Sequence, residues 1–415
     1  MKIYRRVGIG LEQQITGKKR LGLAILLGML AAFGPLTIDM YLPSFPDIAR
    51  NLETSASLVQ LSLTACLLGL AAGQLVIGPL SDAQGRKKPL VLFIALYAGA
   101  SVICAFAPNI YILIGARFLQ GFTAAAGIVI SRAVVRDLFS GHDLTKFFSL
   151  LMLINGLFPI MAPVFGAAVL LVPGATWHWV FIVLAILGLT IMLLVVTKLE
   201  ESLPVERRRP SSIKSTLQTF KHLLKDRLFM GLALTQGLMV GGIFAYVSGT
   251  PFVYQNIYEV SPQTFSLLFG VNGLGIILGT HLVGRYAGIV LERTFLRIGL
   301  IIAVVASGFL FVMTLIEGPL LFIVIPIFFF VSMIGMVGTT SFALAMESKS
   351  EQAGSASALL GLLPFSIGAM TAPLVGIAGE DTAVPMGLII FLMSVGAFLS
   401  FTFLARGGRT PQRES

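Results

Sequence analysis

Apolar runs of about 20 residues recur along the whole chain, and short polar stretches separate them. Each run is long enough to cross the ~30 Å hydrocarbon core of a membrane as a helix. A backbone surrounded by lipid must satisfy its hydrogen bonds internally, and the sequence lacks the period-two alternation of membrane β-barrel strands. The predicted spans are 21–42, 57–78, 89–107, 110–134, 146–170, 179–198, 228–251, 262–284, 294–314, 319–346, 352–376 and 384–405. The expected fold is therefore an all-α membrane protein with about twelve transmembrane helices.

Composition agrees with this prediction. Of the 415 residues, 56% are hydrophobic and 12% are charged, whereas a soluble domain carries about 25% charged residues. The basic stretch Met1–Arg20 precedes a run long enough to span and lacks a small-residue cleavage site, so we expect no cleaved secretory signal. Cys66 and Cys104 lie inside apolar runs and are interpreted as small packing residues, not as a disulfide or a metal pair.

The net charge of +10 is a topology signal and does not indicate nucleic-acid binding. Except for Arg50 and Arg117, the Lys and Arg residues lie in or beside the N-terminus, the even-to-odd loops, the central loop or the C-terminus. This asymmetry is the positive-inside pattern, which predicts that both termini and the central loop face the cytoplasm. Attraction of these charges to anionic lipid is a secondary expectation.

The basic central stretch divides the chain into two halves of six spans each. The expected order is a cytoplasmic N-terminus (1–20), an N-terminal six-helix bundle (21–198), a cytoplasmic linker (199–227), a C-terminal six-helix bundle (228–405) and a cytoplasmic tail (406–415). The halves look like repeats, because glycines of the second span recur in the eighth and an Ala-Pro-x-x-Gly segment of the fifth recurs in the eleventh. The matched pairs are Gly69 with Gly275, Gly73 with Gly279, Gly78 with Gly284, Pro163 with Pro373 and Gly166 with Gly376.

Glycines spaced four apart in the second and eighth spans allow helix backbones to approach closely. We interpret them as packing contacts within the chain, and a dimer face is the alternative interpretation.

The stretch after the second span reads GPLSDAQGRKK and begins at Gly78. Gly85 permits a tight turn between two helices. Asp82 is suited to accept hydrogen bonds from a helix N-terminus or to pair with an arginine, while Arg86 and Lys87 are suited to the cytoplasmic surface. If these residues were scattered along the chain, a turn with ordinary topological charges would be the simpler interpretation.

Their spacing, however, resembles the signature loop of the major facilitator superfamily, G-x-L-x-D-x-x-G-R-K. Ala83 departs from the arginine that the superfamily usually has there, and the corresponding loop of the second half is degenerate, with Gly288 at the aspartate position. The resemblance implies the major facilitator fold of two pseudo-symmetric six-helix bundles and a gating role for this cytoplasmic loop.

Two further stretches are similar to that superfamily. Arg117-Phe-Leu-Gln120-Gly121 resembles the R-x-x-Q-G of its fourth helix, and Gly156 together with Pro163 and Gly166 resembles the fifth-helix antiporter motif, with alanines at two positions that usually carry glycine. The antiporter motif implies export rather than uptake. The alternative, given equal weight, is that proline and glycine here only bend and thin the helix so that it packs against its neighbours.

The first span carries a narrower resemblance. Leu36-Thr-Ile-Asp39-Met-Tyr41-Leu-Pro43-Ser-Phe-Pro46 is similar to the bicyclomycin-resistance (Bcr/CflA) type of drug:proton antiporter, as are the stretches 177–181 and 249–254. This resemblance implies proton-coupled efflux of small drug-like molecules.

Asp39 is the candidate proton carrier. An ionised carboxylate in or near hydrocarbon is costly, so a carboxyl group placed in the outer part of the first span suits the uptake and release of protons. A hydrated aspartate with only local hydrogen bonds is the alternative.

Arg117 is the other charge deep inside a span, roughly 12 Å from Asn109 at 1.5 Å per residue. Since the fold implied by the resemblance makes the first and fourth helices neighbours, an Asp39–Arg117 pair that breaks in one conformation is the preferred coupling hypothesis. In the alternative, Arg117 holds carbonyl groups or Gln120 structurally.

The remaining polar residues in spans are weaker candidates for the lining of a substrate cavity. They are Tyr41, Gln120, Asn155, Gln236, Tyr246 and Asn272. For Asn155, Gln236, Tyr246 and Asn272, hydrogen bonding between helices is the favoured alternative.

The expected function is proton-coupled export by alternating access, and a proton-coupled importer or uniporter of a small metabolite is the alternative. No phosphate-binding loop, nucleophile–base cluster or set of metal ligands is present in the sequence, so we expect neither an enzyme nor a cofactor. The expected partners are a small-molecule substrate, protons and membrane lipid, without nucleic acid, for a monomeric protein.

Overall fold

The computed structural model describes residues 18–139, 141–208, 221–348 and 353–405, and the regular elements in these ranges are helices. The chain divides into two compact units, which comprise residues 1–54 with 65–212 and residues 55–64 with 213–415. The division after residue 212 falls inside the predicted linker, whereas the grouping of residues 55–64 with the second unit was not predicted.

Eight helices in the described residues precede the linker. They are α1 (Lys18–Ala31), α2 (Phe33–Asp39), α3 (Phe45–Asn51), α4 (Ala56–Gln84), α5 (Lys87–Ala105), α6 (Ile110–Leu138), α7 (Gly141–Leu170) and α8 (Trp177–Lys198). In the first unit, α1 and α2 pack against α6 and α7, while α5 packs against α6 and α8.

The first predicted span is interrupted and longer than predicted. Pro35 has no N–H for the carbonyl of Ala31, and Pro43 has none for the carbonyl of Asp39, so the helix breaks after Ala31 and again after Asp39. A 3₁₀ turn and α3 then continue the apolar segment to Asn51 rather than ending it at residue 42. Asp39 therefore lies near the middle of Leu21–Asn51, not in its outer part.

Within residues 221–348 and 353–405, six helices follow the linker. They are α9 (Arg227–Phe252), α10 (Pro262–Arg285), α11 (Glu292–Leu315), α12 (Leu320–Glu347), α13 (Ala353–Thr371) and α14 (Val384–Phe403). In the second unit, α9 packs against α12, α13 and α14, while α11 packs against α12 and α14. A π-helical turn, Val253–Ile257, extends α9, and a 3₁₀ turn, Ala372–Gly376, extends α13.

Eleven helical segments in the described ranges are long and apolar enough to cross a membrane, and Leu157–Leu170 of α7 is a shorter apolar helix. The predicted all-α architecture of about twelve transmembrane helices is confirmed.

Close helix crossings occur at the repeated glycines and at glycines on the helices that face them. A Cβ atom on Gly69 would lie 2.1 Å from the carbonyl oxygen of Phe118, and one on Gly121 would lie 2.0 Å from that of Cys66, so α4 and α6 touch through their backbones. In the second unit, Cβ atoms on Gly279 and Gly335 would lie 2.1 Å and 2.2 Å from carbonyl oxygens of α12 and α10. The interpretation of these glycines as packing contacts within the chain is confirmed.

Candidate functional site

Asp39 is the last residue of α2 and is buried, with 6% of its surface exposed. Among the residues that the structure describes, its carboxyl group has no hydrogen-bond or ion-pair partner. An acidic group that is both buried and unpaired is uncommon, because an ionised carboxylate needs compensation when it leaves water.

Arg117, on α6, is fully buried and reaches the same end of α2. Its Nη2 donates to the carbonyl oxygen of Thr37 at 3.0 Å, and its Nη1 donates to Oε1 of Gln120. Thr37 lies in the last turn of α2, where carbonyl groups lack partners inside the helix and the helix dipole favours a cation. The arginine therefore satisfies the end of the helix that carries Asp39.

A closed ring of polar contacts joins α2, α5 and α6 around this arginine. Gln120 Nε2 donates to Ser101 Oγ at 2.8 Å, and Ser101 Oγ donates to the carbonyl of Tyr97 at 2.8 Å. The hydroxyl of Tyr97 lies 2.8 Å from that of Thr37, whose carbonyl accepts from Arg117. All five residues are buried, so the ring fixes the position of Thr37 from two sides.

Aromatic rings cover the remaining face of the guanidinium. Its central carbon lies 4.1 Å from the centre of the Tyr41 ring and 5.6 Å from that of Phe181. Such rings stabilise a buried cation through their negative faces. The Nε of Arg117 has no hydrogen-bond partner in the described part of the chain, so the polar contacts do not saturate this arginine.

The hypothesised Asp39–Arg117 pair is not formed in this structure, since no ion pair within 4.0 Å joins the two side chains. Arg117 instead holds a carbonyl group and Gln120, as the alternative interpretation describes. Tyr41 and Gln120, considered as cavity-lining residues, are both fully buried around Arg117.

Sequence reasoning missed Tyr97 and Ser101. Their spacing of four residues places both on one face of α5, and that polar pair inside an apolar span was the available signal.

Helix α7 approaches Asp39 through Gly166. A Cβ atom at this position would lie 1.8 Å from the carbonyl oxygen of Met40, so only glycine allows this contact. Pro163 lies within the same helix, one turn before the glycine. Asn155 and Gly156 also belong to α7, but their surroundings fall outside the described residues.

The loop at Asp82 is a helix end followed by a sharp turn, and the helix α4 continues through Gly78 to Gln84, beyond the predicted end of the span. Gly85 has φ +94°, a conformation that favours glycine. Arg86 is buried and donates to Asp82 at 2.6 Å and to Asp137, at the end of α6, at 2.8 Å.

Burial acts to lower the pKa of the Arg86 guanidinium, but the hydrogen bonds and charges of Asp137 and Asp82 outweigh it and raise that pKa. Arg86 thus stays charged and ties the ends of α4 and α6 together.

Glu201, just after α8, binds the start of α5. Its carboxylate accepts from the backbone N–H of Arg86 at 2.8 Å, of Lys87 at 3.1 Å and of Leu203 at 3.0 Å. Partial burial acts to raise the pKa of Glu201, but these three N–H groups outweigh it, so the pKa lies below its usual value. Lys87 adds a second link, because its Nζ donates to the carbonyl of Val196 on α8 at 2.9 Å.

Sequence reasoning did not identify Asp137 and Glu201, because both bind Arg86, which lies 51 residues from Asp137 and 115 residues from Glu201.

In the second unit, Asn272 on α10 donates to the hydroxyl of Tyr246 on α9 at 3.0 Å, and the Tyr246 ring stacks on Phe269. For Asn272 and Tyr246, the favoured alternative to cavity lining was hydrogen bonding between helices, and this bond matches it. The side-chain oxygens of Asn272 and Gln236 are buried and have no partner in the described ranges.

Within the described residues, no group of three or more His, Cys, Asp or Glu residues could hold a metal ion. Cys66 and Cys104 are buried thiols that form no disulfide.

Comparison with known proteins identifies the family. The model of the Major Facilitator Superfamily matches residues 25–373. The chain is 59% identical to a Bacillus subtilis protein named "Uncharacterized MFS-type transporter YdgK", over 94% of this chain and 97% of that one. It is 33% identical to the "Bicyclomycin resistance protein homolog" of Haemophilus influenzae, over 92% of this chain and 94% of that one, which confirms the resemblance to the bicyclomycin-resistance type.

Its fold is similar to that of a bacterial homolog of the human lysosomal transporter Spinster, with TM-score 0.73 and 14% identity over 95% of this chain and 100% of that one. A sequence match over most of the chain, two close relatives and the shared fold agree that this multi-pass membrane protein, a transporter and not an enzyme, belongs to the Major Facilitator Superfamily.

Proposed function

We propose that the protein exports small drug-like molecules in exchange for protons, with Asp39 as the group that carries the proton. The observation that carries this proposal is the buried, unpaired carboxyl group of Asp39, two residues after the carbonyl that Arg117 holds. The name of the Haemophilus influenzae relative supports a drug-like cargo. The proposed setting is the inner membrane of a bacterium, with both termini in the cytoplasm and a monomeric transporter.

The coupling step follows from competition for Arg117. When Asp39 is protonated, it is neutral and leaves Arg117 on Thr37 and Gln120, which is the arrangement described above. When Asp39 loses its proton, the new negative charge attracts the guanidinium away from the end of α2. Because the polar ring connects α2 to α5 and α6, this exchange changes the packing of all three helices and biases the access state of the transporter.

Proton flow supplies the driving force. One positive charge that moves inward gains about 2.3 kcal/mol per 100 mV, which corresponds to about fiftyfold accumulation of a neutral molecule. A buried site with a single acidic group favours neutral or amphiphilic cargo over multiply charged cargo.

Energised inside-out vesicles that contain the Asp39→Asn variant test this proposal, with bicyclomycin and ethidium as probes. Addition of a transported probe should release protons from wild-type vesicles but not from vesicles with the variant. The variant should still exchange the probe down its concentration gradient. Asp47→Asn is the matched control, because Asp47 lies on the neighbouring helix α3 and is half exposed beside Arg50.

Wild-type accumulation of the probe by the Asp39→Asn variant would refute the assigned role of Asp39. Proton movement in the same direction as the probe would instead identify an importer.

A further inference from the structure

An aromatic cluster begins two residues after Asp39 and extends from the end of α2 to the start of α8. Tyr41 packs edge-on against Phe45, with ring centres 4.9 Å apart, and its ring centre lies 5.7 Å from that of Phe181. Trp177, the first residue of α8, meets Phe181 edge-on at 6.0 Å. All four side chains are buried, with at most 1% of each surface exposed. The cluster therefore excludes water from the chain segment that follows the carboxyl group.

Helix α3 lies on one side of this cluster. Phe45 and Ile48 are on its buried face, whereas Asp47 and Arg50 form an ion pair on its exposed face. The helix ends the first apolar span, and the distribution of Lys and Arg predicts that this end faces away from the cytoplasm. It is therefore a short amphipathic helix between the aromatic cluster and the outer side of the protein, which is the side opposite the predicted cytoplasmic one.

A hydrogen bond ties the last residue of α3 to α8. Nε1 of Trp177 donates to Oδ1 of Asn51 at 3.1 Å. Trp177 is itself held in place, because the His178 ring stacks on it at 3.8 Å and Nδ1 of His178 lies 2.6 Å from the carbonyl oxygen of Ala105 at the end of α5. No helix in the described ranges packs extensively against α3. The bond from Asn51 is therefore a principal attachment of this helix to a fixed part of the first unit.

Polar groups beneath α3 lack partners while the helix is in place. Oγ of Ser44, the residue before α3, is buried and has no hydrogen-bond partner in the described part of the chain. The carboxyl group of Asp39 is buried as well. A buried polar group without a partner loses the free energy of its hydration, which water would restore. Desolvation thus favours movement of α3 away from α8, whereas the bond to Trp177 and the apolar packing oppose it.

We propose that α3 covers the proton site on the outer side, and that the bond between Asn51 and Trp177 controls how often water from that side reaches Asp39. When the bond breaks, α3 moves away from α8, and Ser44 and Asp39 become hydrated. Asn51 and Trp177 act through α3 and are therefore positioning residues. The inference rests on the proposed role of Asp39 as the proton carrier.

The test is the rate at which a membrane-impermeant carbodiimide, with glycinamide as the amine, modifies Asp39 from the outer side of right-side-out vesicles. Mass spectrometry of the full-length protein locates each modified carboxyl group. Asp47 is half exposed on α3 and provides the internal reference, because its rate should be the same in the wild type and in every variant.

Asn51→Ala should raise the rate at Asp39 about threefold, the factor for a lost hydrogen bond of about 0.7 kcal/mol with an exposed partner. Ser44→Ala should act in the opposite direction and lower the rate about tenfold. It removes from the covered state the cost of an unpaired hydroxyl group, about 1.4 kcal/mol. A variant that merely loosened the fold would not slow the reaction.

Trp177→Phe removes the N–H donor and should raise the rate at least as much as Asn51→Ala. The Asn51→Ala/Trp177→Phe double variant should be no faster than Trp177→Phe alone, because both changes remove the same bond. Trp179→Phe is the matched control, since Trp179 lies two residues further along α8 and is 49% exposed. Its rate should equal that of the wild type.

Wild-type rates for Asn51→Ala and Trp177→Phe would overturn the proposal, as would a faster reaction of Ser44→Ala or an equal increase for Trp179→Phe. These rates measure access to Asp39 and do not require that Asp39 carries the proton. Failure of the proposed function appears separately, as wild-type accumulation of the probe by Asp39→Asn in energised vesicles.

Discussion

The carbonyl oxygen of Thr37 accepts a hydrogen bond from Arg117 at 3.0 Å, two residues before the buried carboxyl group of Asp39. The arginine is therefore fixed to the main chain of the helix that carries the proposed proton site. The carbonyl of Thr37 stays in place only while the last turn of α2 remains helical. The position of Arg117 therefore depends on the conformation of that helix.

Replacement of Arg117 by lysine should destabilise the protein although it keeps the charge. A single ammonium group cannot reach Thr37 and Gln120 together in the planar arrangement of a guanidinium, and it does not stack in the same way on Tyr41. One buried acceptor left without a partner costs about 1–3 kcal/mol. Thermal unfolding in detergent should show a lower apparent melting temperature, and the proposed proton-driven export should fall with it.

Arg136→Lys is the control for this change, because Arg136 lies on the same helix and is exposed. Equal melting temperatures for the two variants would show that the contacts of Arg117 contribute nothing to stability.

Replacement of Glu201 by glutamine should weaken the start of α5 in a way that depends on pH. The loss of a capping carboxylate costs about 0.5–2 kcal/mol. Since the folded state lowers the pKa of Glu201, its contribution is complete above the unfolded value of about 4.3 and declines as the pH falls through the lower folded value. The melting temperatures of wild type and variant should differ at neutral pH and converge under acid conditions.

Glu200→Gln provides the comparison, because Glu200 is the exposed neighbour of Glu201. If the melting temperatures of the two variants depended on pH in the same way, the bonds from Glu201 to the start of α5 would not be the cause of that dependence.

Gly121→Ala should be strongly destabilising, whereas Gly115→Ala on the same helix should be neutral or slightly stabilising. The new methyl group on residue 121 would lie 2.0 Å from the carbonyl oxygen of Cys66, while nothing lies within 4 Å of a Cβ atom on residue 115. Overpacking costs about 1–3 kcal/mol and occasionally more, and a backbone that cannot move aside puts this site at the upper end of that range. The yield of folded protein and its melting temperature in detergent measure the difference.

The second unit offers the same comparison in Gly335→Ala and Gly338→Ala, since only the former meets a carbonyl oxygen, at 2.2 Å. If both members of either pair behaved alike, close backbone contact would not be what requires these glycines.

The sequence predicted the helices and the glycine crossings well, because both depend on local patterns. Apolar runs of about 20 residues define spans, and glycines at a spacing of four define a face that can approach another helix. Asp39 was found for a similar reason, since an acidic residue is conspicuous in an apolar span. The interruption by Pro35 and Pro43 was missed because hydropathy alone does not register the lost hydrogen bonds.

The partners of the candidate residues were harder to predict. The spacing of Tyr97 and Ser101 places them on one face of a span, but only the fold brings them to Thr37 and Gln120. Glu201 lies far along the chain from the helix start that it binds, and no local pattern links the two.

The contact of Gly166 with the carbonyl of Met40 has a consequence for genetics. The obstacle that a larger residue would meet is a main-chain oxygen, and no substitution at residue 40 removes that atom. Selection for restored transport, which is export in the proposed function, in a Gly166→Ala strain should therefore return mainly true revertants at codon 166, and compensating mutations nearby should be rare.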